Sequence, residues 1–168
     1  KNLGYNPKFF SYPFGEWNLA QKKIIAKNFE FAFGQHSGVI DLNKDPYELP
    51  RFPINEKYGD LERFNFIVEL LPFQYKRVVP SEKMIDDNNP PEMIVEFFED
   101  QNIKNINCFS NEGDGWGNSK IQIENKILKI NFKDKFSTRR GRVNCSIKDK
   151  VGWRWFGIQF VSKNIKDN

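Results

Sequence analysis

The stretch SKIQIENKILKINF, residues 119–132, alternates apolar and polar side chains along most of its length. One polar residue separates Ile121 from Ile123, and one separates Ile130 from Phe132. A period of two residues is that of a β-strand with one buried face. The stretch therefore predicts two β-strands whose apolar residues are turned towards a core.

Similar short runs, rich in β-branched and aromatic residues, fill the chain after Pro72. Segments dense in Gly, Asn, Asp and Pro separate these runs, as in DDNNPP and NEGDGWGNS. About seven strands in a stretch of this size are typical of an immunoglobulin-like antiparallel β-sandwich. We therefore predict an all-β sandwich domain over residues 73–168.

Residues 1–72 show a different pattern, in which strand and helix signals alternate. KFFSYPF and FEFAFG have the composition of short buried strands, whereas EWNLAQKKIIAKNF and YGDLERFNFIVELL have apolar residues at helical spacing. Glu16 begins the first helical segment, where a negative charge suits the helix dipole. This alternation predicts an α/β sheet or barrel.

The composition narrows the class of protein and its partners. The chain has 168 residues, 17 of them Phe, and a formal net charge of +4 at pH 7. Its lysines are dispersed and form no basic stripe, so nucleic acid is not expected as a partner. No apolar run reaches the length of a membrane span, and no signal peptide is visible. Because the chain begins at Lys1 in what reads as the interior of a fold, we expect a fragment.

Two cysteines, Cys108 and Cys145, both lie in strand-like segments, NINCF and RVNCS. Two buried free thiols and one disulfide are both compatible with this placement. We predict the disulfide, which would close a long loop and join strands of the sandwich. Because disulfides are typical of oxidising compartments, an extracellular, periplasmic or cell-envelope location is expected.

Polar or aromatic turns follow three of the predicted extended segments, in SYPFG, FGQHSG and LPRF. Ligand sites of α/β folds lie at the carboxyl ends of the strands, so we expect the three turns to converge on one rim. The rim would present six side chains to a ligand, those of Tyr12, Phe14, Trp17, Gln35, His36 and Arg51. Alternatively, each segment is an ordinary turn, with Arg51 capping a helix or pairing with Asp41 or Asp45.

Other patterns carry less chemistry. His36 is the only histidine, which excludes a self-contained, histidine-rich catalytic zinc site, and no metal is expected in this chain. No P-loop, dinucleotide or nucleophile-elbow pattern is present. Alternation predicts Trp116, Trp153 and Trp155 as sandwich core rather than as a sugar-stacking platform. FSTRRGR, residues 136–142, is predicted to be a solvated turn.

The order of FFSYPFGEW, a helix, FEFAFGQHSG and ELPRFPI resembles the C-terminal third of the polysaccharide deacetylase catalytic domain. These enzymes are the NodB-type carbohydrate esterases. RVNCSI and GWRWFGIQFV are similar to the end of the β-sandwich that follows this domain in some bacterial members. The resemblance implies a partial, deformed (β/α) barrel over residues 1–72, with the sandwich over residues 73–168.

The resemblance also implies an activity, the removal of acetyl groups from an N-acetylated polysaccharide. A divalent metal, usually zinc, would be held by Asp–His–His in an N-terminal half that is missing here, which also carries an Asp general base. The backbone N–H of Phe14 would help to hold the oxyanion. Tyr12, Pro13, Trp17 and Gln35 would bind the sugar along one wall of the groove.

Two positions depart from the family pattern. The family carries Arg where this chain has Ser11. It also carries a His general acid on a late strand, where Arg51 is the nearest counterpart. Either Arg51 and His36 act in altered catalytic roles here, or the protonation step differs. Two other interpretations remain, a non-catalytic sandwich that binds carbohydrate or a protein partner, and an α/β domain of another function.

Overall fold

The computed structural model describes residues 4–165, which fold mainly into antiparallel β-sheets around one large and one small hydrophobic core. The first part contributes β1 (Phe9–Ser11), α1 (Leu19–Ile25), β2 (Phe31–Phe33) and α2 (Leu61–Val68). A six-stranded and a four-stranded sheet follow. Their strands are β3 (Leu71–Pro72), β4 (Tyr75–Val79), β5 (Met84–Ile85), β6 (Met93–Phe97), β7 (Asn107–Asn111), β8 (Trp116–Asn118), β9 (Lys120–Glu124), β10 (Ile127–Asn131), β11 (Arg140–Lys148) and β12 (Trp153–Ser162).

The two sheets have simple strand orders. The four-stranded sheet runs β4-β6-β10-β9, with antiparallel pairs throughout. The larger sheet runs β3-β12-β11-β7-β8, and β5 also pairs with β12. The short strands β3 and β5 run parallel to β12, while the other strand pairs of the larger sheet are antiparallel. The prediction of a β-rich, sandwich-like second part is thus confirmed.

Residues 119–132 form the hairpin of β9 and β10, as their alternation predicts. Glu124 pairs with Ile127 at the end of the hairpin. The two residues between them, Asn125 and Lys126, have φ of 45° and 65°. A two-residue turn with positive φ at both positions matches the twist of the strands it joins. Local sequence therefore sets the register of this pair of strands.

The core between the sheets is rich in phenylalanine. Phe97 of β6 and Phe156 of β12 both contact Phe73, with ring centroids 5.4 and 5.3 Å away. All three rings are buried. Leu128 and Ile130 of β10 are buried in the same cluster. Because the contacts join residues of both sheets, burial of these rings holds the sheets together.

Cys108 of β7 and Cys145 of β11 form a disulfide, which confirms the predicted bridge. The two residues are direct neighbours in the antiparallel pair, with Cα atoms 4.1 Å apart. The bridge therefore joins adjacent strands of one sheet. The 37-residue separation includes the hairpin of β9 and β10 from the other sheet, so the cross-link restrains both sheets.

The α/β expectation for residues 1–72 is met only in part. β1 and β2 pair in parallel, and Leu49 forms a parallel bridge with Phe33 of β2. These three extended segments form no closed barrel within residues 4–165. The reason is physical: β1 and β2 are three residues long and α1 alone connects them, so the pattern provides too little strand to close.

Contacts cross the predicted boundary at residue 72. β3 pairs with β12, and the Lys44 ammonium donates to the carbonyl of Phe73 at 2.6 Å. The backbone N–H of Leu19 donates to the carboxylate of Glu82 at 3.0 Å. The first 72 residues therefore pack directly on the sandwich.

Glu16 does not begin a helix, contrary to the prediction. Asn18 caps α1, because its side chain accepts from the Gln21 N–H while the Gln21 side chain accepts from the Asn18 N–H. Glu16 instead pairs with Arg139 and Arg140 at 2.8 and 2.9 Å. Burial alone would raise the pKa of Glu16, but hydrogen bonds and charges from the two arginines lower it.

Candidate functional site

Three turns meet where β1, β2 and the extended residue Leu49 end. The N–H of Tyr12 donates to the carbonyl of Phe33 at 3.0 Å, which places the SYPFG turn beside the start of FGQHSG. The N–H of Arg51 donates to the carbonyl of His36 at 3.0 Å, which places LPRF beside FGQHSG on its other flank. The predicted convergence of the three segments on one rim is therefore confirmed.

The turn at Pro13–Gly15 is fitted tightly against FGQHSG. Gly15 has φ of 68°, and a Cβ there would lie 2.5 Å from the backbone nitrogen of Gln35. Only glycine is compatible with that approach. Phe14 has φ of 56° and ψ of 10°, a left-handed conformation that costs a residue with a Cβ on the order of 1 kcal/mol. Its carbonyl accepts from the side chain of Gln159 at 3.2 Å, which anchors the turn to β12.

Phe14 and Pro13 form the exposed tip of this turn. The Phe14 ring is 65% exposed, and the guanidinium carbon of Arg140 lies 5.2 Å from its centroid. Within residues 4–165 the N–H of Phe14 donates to no protein acceptor. The turn thus holds one backbone donor in a fixed conformation with no partner in the described part of the chain.

Tyr12 and Trp17 do not face a ligand, so the prediction that they pack on sugar rings is wrong. They are 3% and 4% exposed, and their ring centroids lie 6.0 Å apart. The Tyr12 hydroxyl donates to the carbonyl of Tyr47 at 3.1 Å. Burial, with the charges of Asp45 and Glu48, raises the pKa of Tyr12 to about 12. The two rings form a small second core beneath the rim.

A groove of about 560 Å³ opens beside the rim. It is lined by Gln35, His36 and Arg51 of the rim, together with Arg142 of β11 and Trp155 of β12. Pockets of this volume hold small organic ligands. Three of the predicted site residues therefore lie in one concave surface.

Of the three tryptophans predicted to lie in the sandwich core, two are at the surface, so the prediction is wrong for these two. Trp116 and Trp153 are 50% and 38% exposed. The strand that carries Trp116, β8, is at the edge of its sheet, and all its residues are exposed, so alternation there marks no buried face. Trp155 is half-buried, and Trp116 and Trp155 both line the groove.

FSTRRGR is not a solvated turn, although its composition suggests one. Arg139 and Arg140 pair with Glu16, and Arg142 lines the groove. Sequence reasoning missed Arg142 as a site residue because it lies about ninety positions from the rim segments, at no recognisable spacing. Arg63 of α2, which also lines the groove, was missed because its helical segment carries no pattern that marks a ligand contact.

His36 lies between the groove and a second, smaller cavity, and lines both. Its ring lies close over Gly34, where an added Cβ would be 2.7 Å from Nδ1. Burial, together with the charge of Lys83, lowers the pKa of His36 to about 4. At neutral pH the imidazole is therefore neutral.

The smaller cavity has a volume of about 40 Å³ and is lined by lysines and carboxylates. Burial lowers the pKa of Lys44 to about 7 and that of Lys83 to about 8. Asp41 accepts from Gln74, and Asp45 pairs with Lys22 at 2.7 Å. Neither carboxylate pairs with Arg51, so the alternative in which Arg51 binds one of them is not observed.

The low pKa of His36 predicts a loss of stability in acid. Between about pH 6.5 and pH 4 the unfolded chain binds a proton at this site and the folded chain does not, so stability falls as pH falls. We expect the free energy of unfolding to drop by about 2 to 3 kcal/mol more in the native chain than in His36→Gln between pH 7 and pH 4.5. Urea denaturation of both proteins at the two pH values measures the difference. Equal drops in the free energy of unfolding of the two proteins would contradict a neutral imidazole at His36.

Two other features bear on the kind of site. Within residues 4–165, no group of three or more His, Cys, Asp and Glu side chains is placed to hold a metal ion. No helix in the same part of the chain is both long and apolar enough to cross a membrane.

No protein-family model matches the chain, and no curated protein and no solved structure matches it either.

Proposed function

We propose that this chain is the distal part of a deacetylase that removes acetyl groups from an N-acetylated polysaccharide. The observation that supports this best is the convergence of SYPFG, FGQHSG and LPRF on one rim beside a groove. Residues 1–72 would then be the end of a deformed (β/α) barrel, completed by a preceding half, and the sandwich would be immunoglobulin-like. The disulfide favours an extracellular, periplasmic or cell-envelope location.

In this proposal the N–H of Phe14 stabilises the negative charge that develops on the acetyl oxygen. A donor that is fixed before the reaction needs no reorganisation when charge develops, which makes such donors large catalytic contributors. The left-handed conformation of Phe14 and the anchor from Gln159 fix this donor. Phe14 and Pro13 are exposed, and in this proposal they would form one wall of the substrate site.

In this proposal Gln35, His36 and Arg51, the rim residues that line the groove, bind and orient the sugar. The guanidinium of Arg51 carries hydrogen-bond donors and no acceptor, so it would stabilise negative charge rather than act as a base. His36 is neutral at pH 7, because its pKa is about 4, and so offers a hydrogen bond rather than an acidic proton. We therefore assign proton delivery to the leaving amine to a group outside this chain.

The described residues do not fit a hydrolytic metal site, because within residues 4–165 no group of three or more His, Cys, Asp and Glu side chains is placed to hold a metal ion, and the chain has one histidine. A divalent metal, usually zinc in the family that the chain resembles, would be held by the preceding half. When bound it would supply an activated water. The residues described here would contribute the oxyanion donor and the sugar contacts.

The main alternative is a glycan- or partner-binding module without catalysis, for which the size of the groove on the larger sheet is the favourable observation. The coding sequence upstream of Lys1 separates the two. The deacetylase proposal requires an Asp-Asp pair and a His-x-x-x-His motif upstream. A start codon at Lys1 would support the binding module and contradict the deacetylase.

We expect the 168-residue chain alone to release no acetate from N-acetylated oligosaccharides, because it lacks the ligands of the hydrolytic metal. Incubation with chitotetraose and added zinc, followed by an acetate assay, measures this. A parallel sample of an unrelated folded protein sets the background. Metal-dependent acetate release above that background would contradict the assignment of the metal site to a preceding half.

A further inference from the structure

The groove has an unusual charge pattern. Its charged lining side chains are all arginines, Arg51, Arg63 and Arg142, and no carboxylate among residues 4–165 lines it. Elsewhere in the described part of the chain, arginines have acidic partners, as Arg154 has in Asp149 and Arg77 has in Glu96. The groove is therefore a place where positive charge is left uncompensated by the protein.

Each arginine is held in a different way. Within residues 4–165, the side chain of Arg142 donates only to the neutral side chain of Gln159, at 3.2 Å. Burial lowers the pKa of Arg142, and the charge of Arg140 lowers it further. Arg63 donates to two backbone carbonyls, at 2.8 and 3.0 Å. The guanidinium of Arg51 contacts no acceptor among residues 4–165 and is exposed. Donors that face one concavity with no acidic partner favour an anionic ligand.

Aromatic rings share the same surface. Phe52 and Trp155 lie in edge contact, with centroids 6.3 Å apart, and Tyr58 and Trp116 also line the groove. The indole N–H of Trp155 is buried and donates to no described residue. A surface of rings, guanidinium groups and one unpartnered donor suits flat rings that carry anionic and hydroxyl groups.

We propose that the groove binds an acidic oligosaccharide, whose pyranose rings carry carboxylate or sulfate groups. The proposal deepens the proposed function and rests on it, since it names the class of polysaccharide that the rim would deacetylate. Gln35 and His36 line the groove and belong to the rim, so a glycan in the groove would reach the Phe14 turn. This continuity favours a glycan over single-stranded nucleic acid, which also combines negative charge with stacking rings.

The test is calorimetric titration of the 168-residue chain with four tetrasaccharides. Hyaluronan carries carboxylate and N-acetyl groups, chondroitin sulfate adds sulfate, galacturonate carries carboxylate alone, and chitotetraose is neutral and N-acetylated. We expect the acidic N-acetylated ligands to bind at least tenfold more tightly than chitotetraose at low salt. Hyaluronan against chondroitin sulfate then shows which anionic group is preferred.

Arg51→Gln is the decisive variant, because the Arg51 side chain makes no hydrogen bond or ion pair within residues 4–165 and its backbone hydrogen bond is retained. It should weaken the acidic ligands about tenfold and chitotetraose much less, because the neutral sugar has no anionic group for Arg51 to pair with. Lys120→Gln removes the same charge from β9 of the other sheet and should change nothing. Circular dichroism confirms that both variants are folded.

Three outcomes would overturn the inference. They are equal binding of chitotetraose and hyaluronan, equal weakening by Arg51→Gln and Lys120→Gln, and tighter binding of oligothymidylate than of any acidic glycan. The first of these would leave the proposed deacetylase standing. Equal binding of galacturonate and hyaluronan would support the acidic groove but count against an N-acetyl-specific enzyme.

Discussion

Replacing the Phe14 amide by an ester in the complete form of the proposed deacetylase is expected to lower turnover about 10²- to 10³-fold. The ester removes the N–H but retains the ring and the left-handed φ of 56°. The loss should appear in kcat, because the donor acts on charge that exists only in the transition state. Semisynthesis of the enzyme with the α-hydroxy acid at position 14, followed by steady-state kinetics, measures the effect.

Proline at this position would be a poor test. It fixes φ near −65°, which the left-handed turn cannot accept, so Phe14→Pro removes the donor and disrupts the turn together. Phe14→Gly is the matched control, since glycine adopts positive φ and keeps the N–H. We expect Phe14→Gly to raise KM and to leave kcat within a few-fold. Equal, mild effects of the ester and of Phe14→Gly would contradict the oxyanion role.

Removal of the disulfide is expected to have the largest effect on stability. Cys108→Ala combined with Cys145→Ala should lower the free energy of unfolding by about 4 kcal/mol, because the bridge closes a 37-residue loop. The loop contains β8, β9 and β10, so its release frees strands of both sheets in the unfolded chain. Urea denaturation of the native and double-variant chains measures the difference.

Reduction of the native chain is the control for the alanine substitutions, since it opens the same loop without deleting the buried sulfur atoms. Reduced and double-variant chains should lose similar stability, with a further small loss in the variant from the smaller side chains. A loss below about 1 kcal/mol in both would show that the bridge adds little to strands that are already paired.

Local sequence patterns were sufficient to predict the structure of segments whose conformation depends mainly on their own residues. The alternation in residues 119–132 predicted a pair of strands, and the cysteine positions predicted the bridge. The convergence of the three turns was predictable as well, because parallel strands end at one edge. These features depend on spacing along the chain or on one rule of topology.

Contacts between distant segments could not be predicted. The residues around Glu16 predicted that it begins a helix, yet Glu16 pairs with arginines more than 120 positions away. Tyr12 and Trp17 were expected at a ligand, because crowded aromatics around a Pro-Gly turn do not indicate which rings face inward. Burial of Tyr12 depends on a carbonyl at Tyr47, which the sequence around Tyr12 does not specify.

The same limit applies to the groove and to His36. Arg51 and Arg142 come from different parts of the fold, and neither has a neighbouring residue that marks it as a ligand contact. The low pKa of His36 arises from burial and from Lys83, which lies 47 positions along the chain. Sequence reasoning identified Arg51 and His36 but missed Arg142, and it could not give the electrostatic environment that sets the roles of these residues.

The most direct test of the deacetylase assignment is acetate release by the complete protein that contains this chain. The protein would be stripped with a chelator and assayed on chitotetraose and hyaluronan tetrasaccharide, with and without restored divalent metal. We predict acetate release that depends on the metal and is lost in the Phe14 ester. A folded, metal-restored protein that releases no acetate from either substrate would contradict the account.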